Sequence, residues 1–247
     1  MYHFLLHTLH TRLRALAYVL PSSCCLCGCE SIDIVCCACK QQFLPCQLPR
    51  CLQCAIHLPS LKKGERCGYC LQQQPAFDFS LAACNYEAPF DHLVLALKFK
   101  HHLPLACFFA DALLEQITLS GNMKLPDMLC PVPLSKQGLA KRGFNQSLEM
   151  AKVLSQRLGV PLIPDLLIRT RNTPAQSSLA RPLRIKNVRN AFIINPTMMD
   201  DLVNKQIAIV DDVLTTGATL NELATLLKRF GAKQVSNFVF ARTTIAL

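Results

Sequence analysis

Apolar residues recur along the chain with two different periods. In residues 4–20 they lie at helical spacing, interrupted by histidine and arginine, which predicts a short amphipathic helix. The short β-branched run at 207–210 is typical of a strand buried on both faces of a parallel sheet, and residues 235–241 are predicted to form the next strand. Apolar residues at helical spacing separate these runs: Leu220, Leu223, Ala224 and Leu227. The pattern therefore predicts a strand, a turn, a helix that Gly231 ends, and a second strand.

The middle of the chain shows a similar order. The apolar run 128–132 is typical of a strand that ends at Pro133, and residues 146–158 are typical of a helix. A further helix is predicted to begin near Phe90. Because strand and helix patterns alternate, we predict an α/β domain with a mainly parallel sheet flanked by helices.

No apolar run approaches the roughly 20 residues of a membrane span. The uninterrupted apolar run at 15–20 is too short for the central region of a signal peptide. We therefore expect a cytoplasmic protein, in which clustered cysteines are metal ligands rather than disulfides. A helix lying on a membrane surface is the alternative reading of residues 4–20.

The chain has 15 cysteines, and 12 of them lie between Cys24 and Cys70. Eight form four Cys-x-x-Cys pairs: Cys24 and Cys27, Cys36 and Cys39, Cys51 and Cys54, Cys67 and Cys70. Two such pairs complete a tetrahedral zinc site, so we predict one or two structural Zn²⁺ ions. The simplest grouping joins the first two pairs and the last two. An interleaved grouping, replacement of a ligand by Cys25 or Cys37, disulfides and free thiols remain alternatives.

Two acids, Asp211 and Asp212, follow the run at 207–210 and precede a turn of small residues: Thr215, Thr216, Gly217, Ala218 and Thr219. Backbone N–H groups at the start of a helix can hold a phosphate, and glycine lets the backbone approach it closely. The acids would repel a phosphate, but they can accept hydrogen bonds from a sugar diol and hold Mg²⁺ through water. The sequence therefore predicts a ribose 5-phosphate site. The alternative is an acidic strand end followed by a threonine-capped helix.

This stretch closely resembles the phosphoribosyl pyrophosphate signature of type I phosphoribosyltransferases. The resemblance extends to other segments: residues 131–135, residues 141–146, Arg171, Gln176, Arg184, Asn187, Val188 and Phe192. Together they are similar to the ComF family of competence-associated and DNA-utilisation proteins. The resemblance implies a cysteine-rich double zinc ribbon, residues 1–75, before a phosphoribosyltransferase-like domain, residues 76–247.

A basic segment lies in the middle of the chain. Between Lys136 and Arg189 there are 11 lysines and arginines and only two acids. The resemblance implies that Ser135, Lys136 and Arg142 meet pyrophosphate, whose negative charge builds as its bond to the ribose breaks. It also implies a mobile hood at 169–189 that excludes water, and a site role for Lys98. The alternatives are a nucleic-acid contact for the basic segment and a solvated helix-end position for Lys98.

Two hypotheses follow for the function. The first is an enzyme that binds magnesium and 5-phosphoribosyl 1-pyrophosphate and transfers the phosphoribosyl group to an unknown acceptor, with Asp211, Asp212 and Arg142 as catalytic residues. The second is a non-catalytic module that binds a phosphoribosyl ligand together with single-stranded DNA or a protein of the DNA-uptake apparatus.

Overall fold

The computed structural model describes residues 22–44, 48–62, 64–121, 123–171 and 190–244. The predicted helix at 4–20 and residues 172–189 of the predicted hood lie outside the described residues. The chain divides into two compact units, Met1–Pro45 and Cys46–Leu247. The second set of cysteines therefore shares a unit with the sheet, and the domain boundary after residue 75 stays a prediction.

The first unit is built around a short antiparallel pairing of strands β1 (Ser22–Ser23) and β2 (Glu30–Ser31). Helix α1 (Cys37–Phe43) follows, and the Cys36 sulfur caps it by accepting a bond from the backbone N–H of Cys39. Cysteine positions thus coincide with the turn and the helix start.

The second unit is organised by a four-stranded sheet in which all neighbours are parallel. Its strands, in sheet order, are β3 (Phe79–Asn85), β8 (Gln234–Arg242), β7 (Gln206–Leu214) and β4 (Met128–Pro131). A separate antiparallel hairpin is formed by β5 (Leu167–Arg169) and β6 (Phe192–Ile194). The predicted α/β class with a mainly parallel sheet is confirmed.

Six helices of the second unit lie among the described residues: α2 (Gly68–Gln73), α3 (Phe90–Lys100), α4 (Pro104–Leu119), α5 (Lys136–Arg142), α6 (Gln146–Leu158) and α7 (Ala218–Arg229). Two short 3-10 turns precede β7, at Pro196–Met198 and Asp200–Leu202. No helix among the described residues combines the length and the apolar character that crossing a membrane requires.

Alternate residues of the central strands face two different layers. Phe240 of β8 stacks on Phe109 of α4, with ring centroids 3.7 Å apart, and also packs against Phe90 and Phe108. Ile207 and Ile209 of β7 belong instead to a buried cluster that includes the apolar face of α7 and the cysteines of residues 51–70. The sheet is therefore covered on both faces, as parallel sheets require.

Strand β7 runs further than its apolar pattern predicted. The pattern ended at Val210, whereas the strand continues to Leu214, because Asp211 pairs with Val239 and Val213 with Ala241 of β8. The two acids therefore lie within a paired strand, where the sheet fixes their backbone.

Candidate functional site

The carboxyl ends of four parallel strands meet at one edge of the sheet. Strand β4 ends at Pro131 and strand β7 ends at Leu214, directly before the turn formed by residues 215–219, called here the threonine turn. Ligands of open α/β sheets bind at this edge. The fold thus brings the acids and the threonine turn to one place.

Gly217, in the middle of the threonine turn, is the N-cap of α7 and has φ of +79° and ψ of 0°. This left-handed conformation favours glycine over residues with a Cβ atom. Inside the turn, the Ala218 N–H donates to Thr216 Oγ1 over 3.3 Å. Helix α7 is 12 residues long and begins at Ala218, directly after this glycine, so the positive end of its dipole lies at the threonine turn.

The two acids have different surroundings. Asp212 is buried and forms an ion pair with Lys98, whose Nζ lies 2.6 Å from Asp212 Oδ2. Asp211 is partly exposed and accepts hydrogen bonds from Ser147 Oγ at 2.7 Å and from the Asp212 N–H at 3.0 Å. Lys98 is therefore part of this acidic site and not a solvated lysine at the end of α3; only 21% of its side chain is exposed.

Although Asp211 as a residue is partly exposed, desolvation of its carboxyl group raises its pKa to about 7, and the neighbouring charge of Asp212 adds to the shift. The Lys98 ammonium and the hydrogen bond from Ser147 act in the opposite direction and lower that pKa. The nearby Lys98 ammonium thus favours the ionised form of the Asp211 carboxyl group.

The residues predicted to meet pyrophosphate lie at the two ends of α5. Ser135 caps this helix by accepting a bond from the Gly138 N–H over 3.1 Å, and Lys136 is exposed. Arg142, at the other end, hydrogen-bonds to Gln146 Oε1 and stacks over the ring of Phe99, 5.6 Å from its centroid. Phe99 follows Lys98 on α3, so Arg142 contacts the helix that also carries Lys98.

The predicted zinc ligands form two clusters among the described residues. The first tetrad is Cys24, Cys27, Cys36 and Cys39, and the second tetrad is Cys51, Cys54, Cys67 and Cys70. In each, the four sulfurs lie within 4.8 Å of one another. The structure thus gathers the first two pairs and the last two, which is the simplest of the predicted groupings.

The sulfur geometry fits a tetrahedral metal ion. The Sγ atoms of Cys27 and Cys36 are 3.7 Å apart, as are those of Cys54 and Cys67. Four thiolates at the usual Zn–S distance of about 2.3 Å would be roughly 3.8 Å apart. Backbone N–H groups also donate to the sulfurs, from Cys36 to Cys24 and from Cys67 to Cys51. Both tetrads could therefore hold zinc.

Comparison with known proteins supports this reading of the second unit. The family model described as "Phosphoribosyl transferase domain" matches residues 144–244. Competence protein F of Haemophilus influenzae is 29% identical over 216 residues, covering 84% of this chain and 90% of that protein. DNA utilization protein YhgH of Salmonella typhimurium is 35% identical over 196 residues, covering 78% of this chain and 84% of that protein.

The chain belongs to the ComF family. Among solved structures, a purine phosphoribosyltransferase from Pyrococcus horikoshii matches with 25% identity and a TM-score of 0.29, over 52% of this chain and 66% of that one. The second unit of this ComF-family chain contains a phosphoribosyltransferase-like domain, as the family match over residues 144–244 shows.

Several residues that shape this site in the ComF-family chain were not singled out from its sequence. Asn145 caps α6 by accepting from the Ser147 N–H, and its Nδ2 donates to Val132 O over 3.0 Å, which ties the helix to the end of β4. Ser147 then reaches Asp211. An asparagine directly before a helical pattern is a recognisable N-cap signal, but the partner of Ser147 lies 64 residues away.

Proposed function

We propose that the protein binds 5-phosphoribosyl 1-pyrophosphate with magnesium at the edge formed by residues 211–219, and that it serves DNA uptake or utilisation. One observation carries the ligand assignment. A pair of carboxylates within a paired strand is followed at once by a glycine-kinked turn at the start of a 12-residue helix. Carboxylates that can accept hydrogen bonds from sugar hydroxyls therefore lie next to N–H groups that can donate hydrogen bonds to a phosphate.

The 5-phosphate would bind at the threonine turn. The N–H groups that begin α7 supply donors and the positive end of the helix dipole. Three threonine hydroxyls, those of Thr215, Thr216 and Thr219, can add further bonds. Gly217 and Ala218 carry no long side chain that would obstruct the phosphate.

The ribose hydroxyls would bind at the acids. Asp211 is partly exposed and keeps acceptor capacity beyond its bond with Ser147, because a carboxylate has about four lone-pair positions. Asp212 would take part when Lys98 turns from it to the ligand's own phosphates. The carboxylate oxygens also fit Mg²⁺, which favours one or two carboxylates plus substrate phosphates and would neutralise the pyrophosphate charge.

The pyrophosphate would lie toward α5 and the end of α3. Arg142 is held in place by Gln146 and by the Phe99 ring, so its guanidinium is oriented before the ligand arrives. Lys136 is exposed and adds positive charge at the other end of α5. Bidentate contacts from arginine suit a phosphate group.

The test is calorimetric titration with phosphoribosyl pyrophosphate and Mg²⁺, using the wild type and the double variant Asp211→Asn/Asp212→Asn. The matched control is Asp200→Asn/Asp201→Asn, which changes two adjacent exposed acids of a 3-10 turn. We expect at least a 10-fold loss of affinity in the site variant and none in the control. Equal affinity in all three proteins would refute the assignment.

Transferase activity is tested separately from binding. In the transfer, the acceptor forms a bond to the ribose C1 while the bond from C1 to pyrophosphate breaks, and the acceptor loses a proton. Acceptor-dependent release of pyrophosphate would establish the enzyme. Binding without release in the presence of nucleobases and single-stranded DNA would favour the non-catalytic module.

A specific observation favours single-stranded DNA as a second ligand. Phe99 is 60% exposed and carries Arg142 over its ring, and His101 packs against Phe144 with ring centroids 5.7 Å apart. Exposed rings beside cations are what unpaired bases stack upon. The names of the two relatives, competence protein F and DNA utilization protein, support this context.

Fluorescence anisotropy with a labelled single strand tests the DNA proposal. We expect salt-dependent binding that falls when Phe99→Ala is introduced and survives Asp211→Asn/Asp212→Asn. No binding at low salt would remove this second candidate while leaving the phosphoribosyl proposal intact.

A further inference from the structure

Arg242, the last residue of β8, is a buried arginine without a carboxylate partner. Only 3% of its surface is exposed, and it forms no ion pair with any acid in the described parts of the chain. A buried guanidinium is costly unless its donors are satisfied and its charge is balanced. The surroundings of Arg242 therefore have to supply both hydrogen-bond acceptors and a balancing negative charge.

The guanidinium of Arg242 joins two segments that are far apart in the sequence. Its Nε donates to the carbonyl of Cys54 over 2.8 Å. A terminal nitrogen donates to the carbonyls of Leu214 and Thr215 over 3.0 and 2.5 Å. Cys54 belongs to the second tetrad, and Leu214 and Thr215 form the junction between β7 and the threonine turn. One side chain thus connects the cysteine cluster to the proposed phosphate site.

The second tetrad can supply the missing countercharge. Four thiolates around Zn²⁺ carry two net negative charges. Two arginines lie next to this tetrad: the buried Arg242 donates to the carbonyl of Cys54, and the partly exposed Arg50 donates to the carbonyl of Ala55 over 3.0 Å. A metal-filled second tetrad and the two guanidinium groups would together be neutral.

Phe77 forms a second link between the threonine turn and the second tetrad. This ring is buried in the same cluster as the four cysteines. A Cβ placed on Gly217 would lie 3.8 Å from the Phe77 ring, so the turn sits directly on it. Gln53, between two cysteines of the tetrad, donates to the carbonyl of Phe77 and fixes that segment.

We propose that Arg242 is a positioning residue through which metal in the second tetrad orders the threonine turn for phosphate binding. The inference rests on the proposed function, since it assigns the turn to the phosphoribosyl 5-phosphate. Metal loss would leave Arg242 without its countercharge, and the carbonyls of Leu214 and Thr215 would lose the bonds that hold the start of the turn. With metal bound, the second tetrad and the threonine turn would act as one site.

The first experiment compares Arg242→Met with Arg242→Lys and with the control Arg50→Met, all saturated with Zn²⁺. Arg50 adjoins the same tetrad, but none of its hydrogen bonds among the described residues reaches residues 214–219. We expect Arg242→Met to weaken phosphoribosyl pyrophosphate binding at least 10-fold, Arg242→Lys to fall between it and wild type, and Arg50→Met to stay within twofold of wild type. Equal weakening by Arg242→Met and Arg50→Met would overturn the proposal.

The second experiment needs no ligand and therefore separates this inference from the proposed function. Amide hydrogen exchange at residues 214–219 is followed with zinc bound and after removal by a chelator, with residues 128–131 of β4 as the internal reference. In wild type, metal removal should accelerate exchange in the turn at least 10-fold relative to the reference. In Arg242→Met the turn should already exchange fast, and metal removal should add little. If metal removal accelerates the turn equally in both proteins, Arg242 does not carry the coupling.

The two experiments fail in different ways. A wild type that binds no phosphoribosyl pyrophosphate, but shows the zinc-dependent exchange through Arg242, refutes the ligand and keeps the coupling. A wild type that binds the ligand, but whose turn exchanges at the same rate with and without zinc, refutes the coupling and keeps the ligand.

Discussion

Replacement of Lys98 by methionine tests the charge balance at the acids. The Lys98 ammonium lies 2.6 Å from Asp212, whose side chain is only 4% exposed. Removing one partner of a buried ion pair leaves an uncompensated charge and costs about 3–5 kcal/mol. The lower end, about 3 kcal/mol, applies here because the Lys98 side chain retains 21% exposure.

The double variant Lys98→Met/Asp212→Asn separates charge from packing. Replacing both partners of such a pair removes the orphaned charge, so we expect the double variant to lose only about 1 kcal/mol relative to wild type. Urea unfolding followed by circular dichroism at pH 7, with zinc saturating, measures both. Lys100→Met is the matched control, because Lys100 is exposed on the same helix.

The pH dependence of the destabilisation by Lys98→Met tests whether the Lys98 charge stabilises the acids. Lys98 lowers the pKa of Asp211, so its removal should raise that pKa further above 7. At pH 5 Asp211 would hold its proton with or without Lys98, so the part of the destabilisation that comes from Asp211 should shrink. A loss no larger than that of Lys100→Met, or a loss equal at pH 5 and pH 7, would show that the Lys98 charge does not stabilise the acid pair.

Three further predictions address single residues. The pKa of Asp211 in the folded chain, about 7, lies above its ordinary value of 3.8, so between these two pH values the folded state holds a proton that the unfolded state has lost. Stability should therefore fall as the pH rises from 4 to 7. Asp211→Asn should flatten that slope in thermal unfolding. Gly217→Ala places a side chain at φ of +79° and should destabilise by about 1–2 kcal/mol in urea unfolding while weakening phosphoribosyl pyrophosphate binding in calorimetry; unchanged values would mean the turn is not strained. Asn145→Ala removes the cap of α6 and the bond to Val132 and should cost about 1–2 kcal/mol, with Asn195→Ala, which caps only a 3-10 turn, losing less in the same assay.

Local sequence patterns were sufficient to predict most helices and strands of the sheet domain. Helix α6 has the predicted bounds, Gln146–Leu158, because an N-cap, an amphipathic face and a terminal glycine all lie within one stretch. The four cysteine pairs could likewise be predicted, since two residues between cysteines let both sulfurs turn to one metal. Which pairs share a site was left open by the sequence, and the structure gathers the first two and the last two.

The contacts that complete the site could not be predicted from those patterns. Ser147 meets Asp211 across 64 residues, and Arg242 meets Cys54 across 188. Such pairs depend on sheet order and on the packing of the second tetrad against α7, which no local period encodes. Strand β7 was also predicted too short, because pairing with β8 overrides the polarity of Asp211 and Asp212.

A crystal structure with phosphoribosyl pyrophosphate and Mg²⁺ tests the central claim most directly. We predict the 5-phosphate within hydrogen-bond distance of the N–H groups at residues 216–219 and a ribose hydroxyl on Asp211. A ligand bound elsewhere, with Asp212 still paired to Lys98 and the threonine turn without a phosphate, would contradict the account.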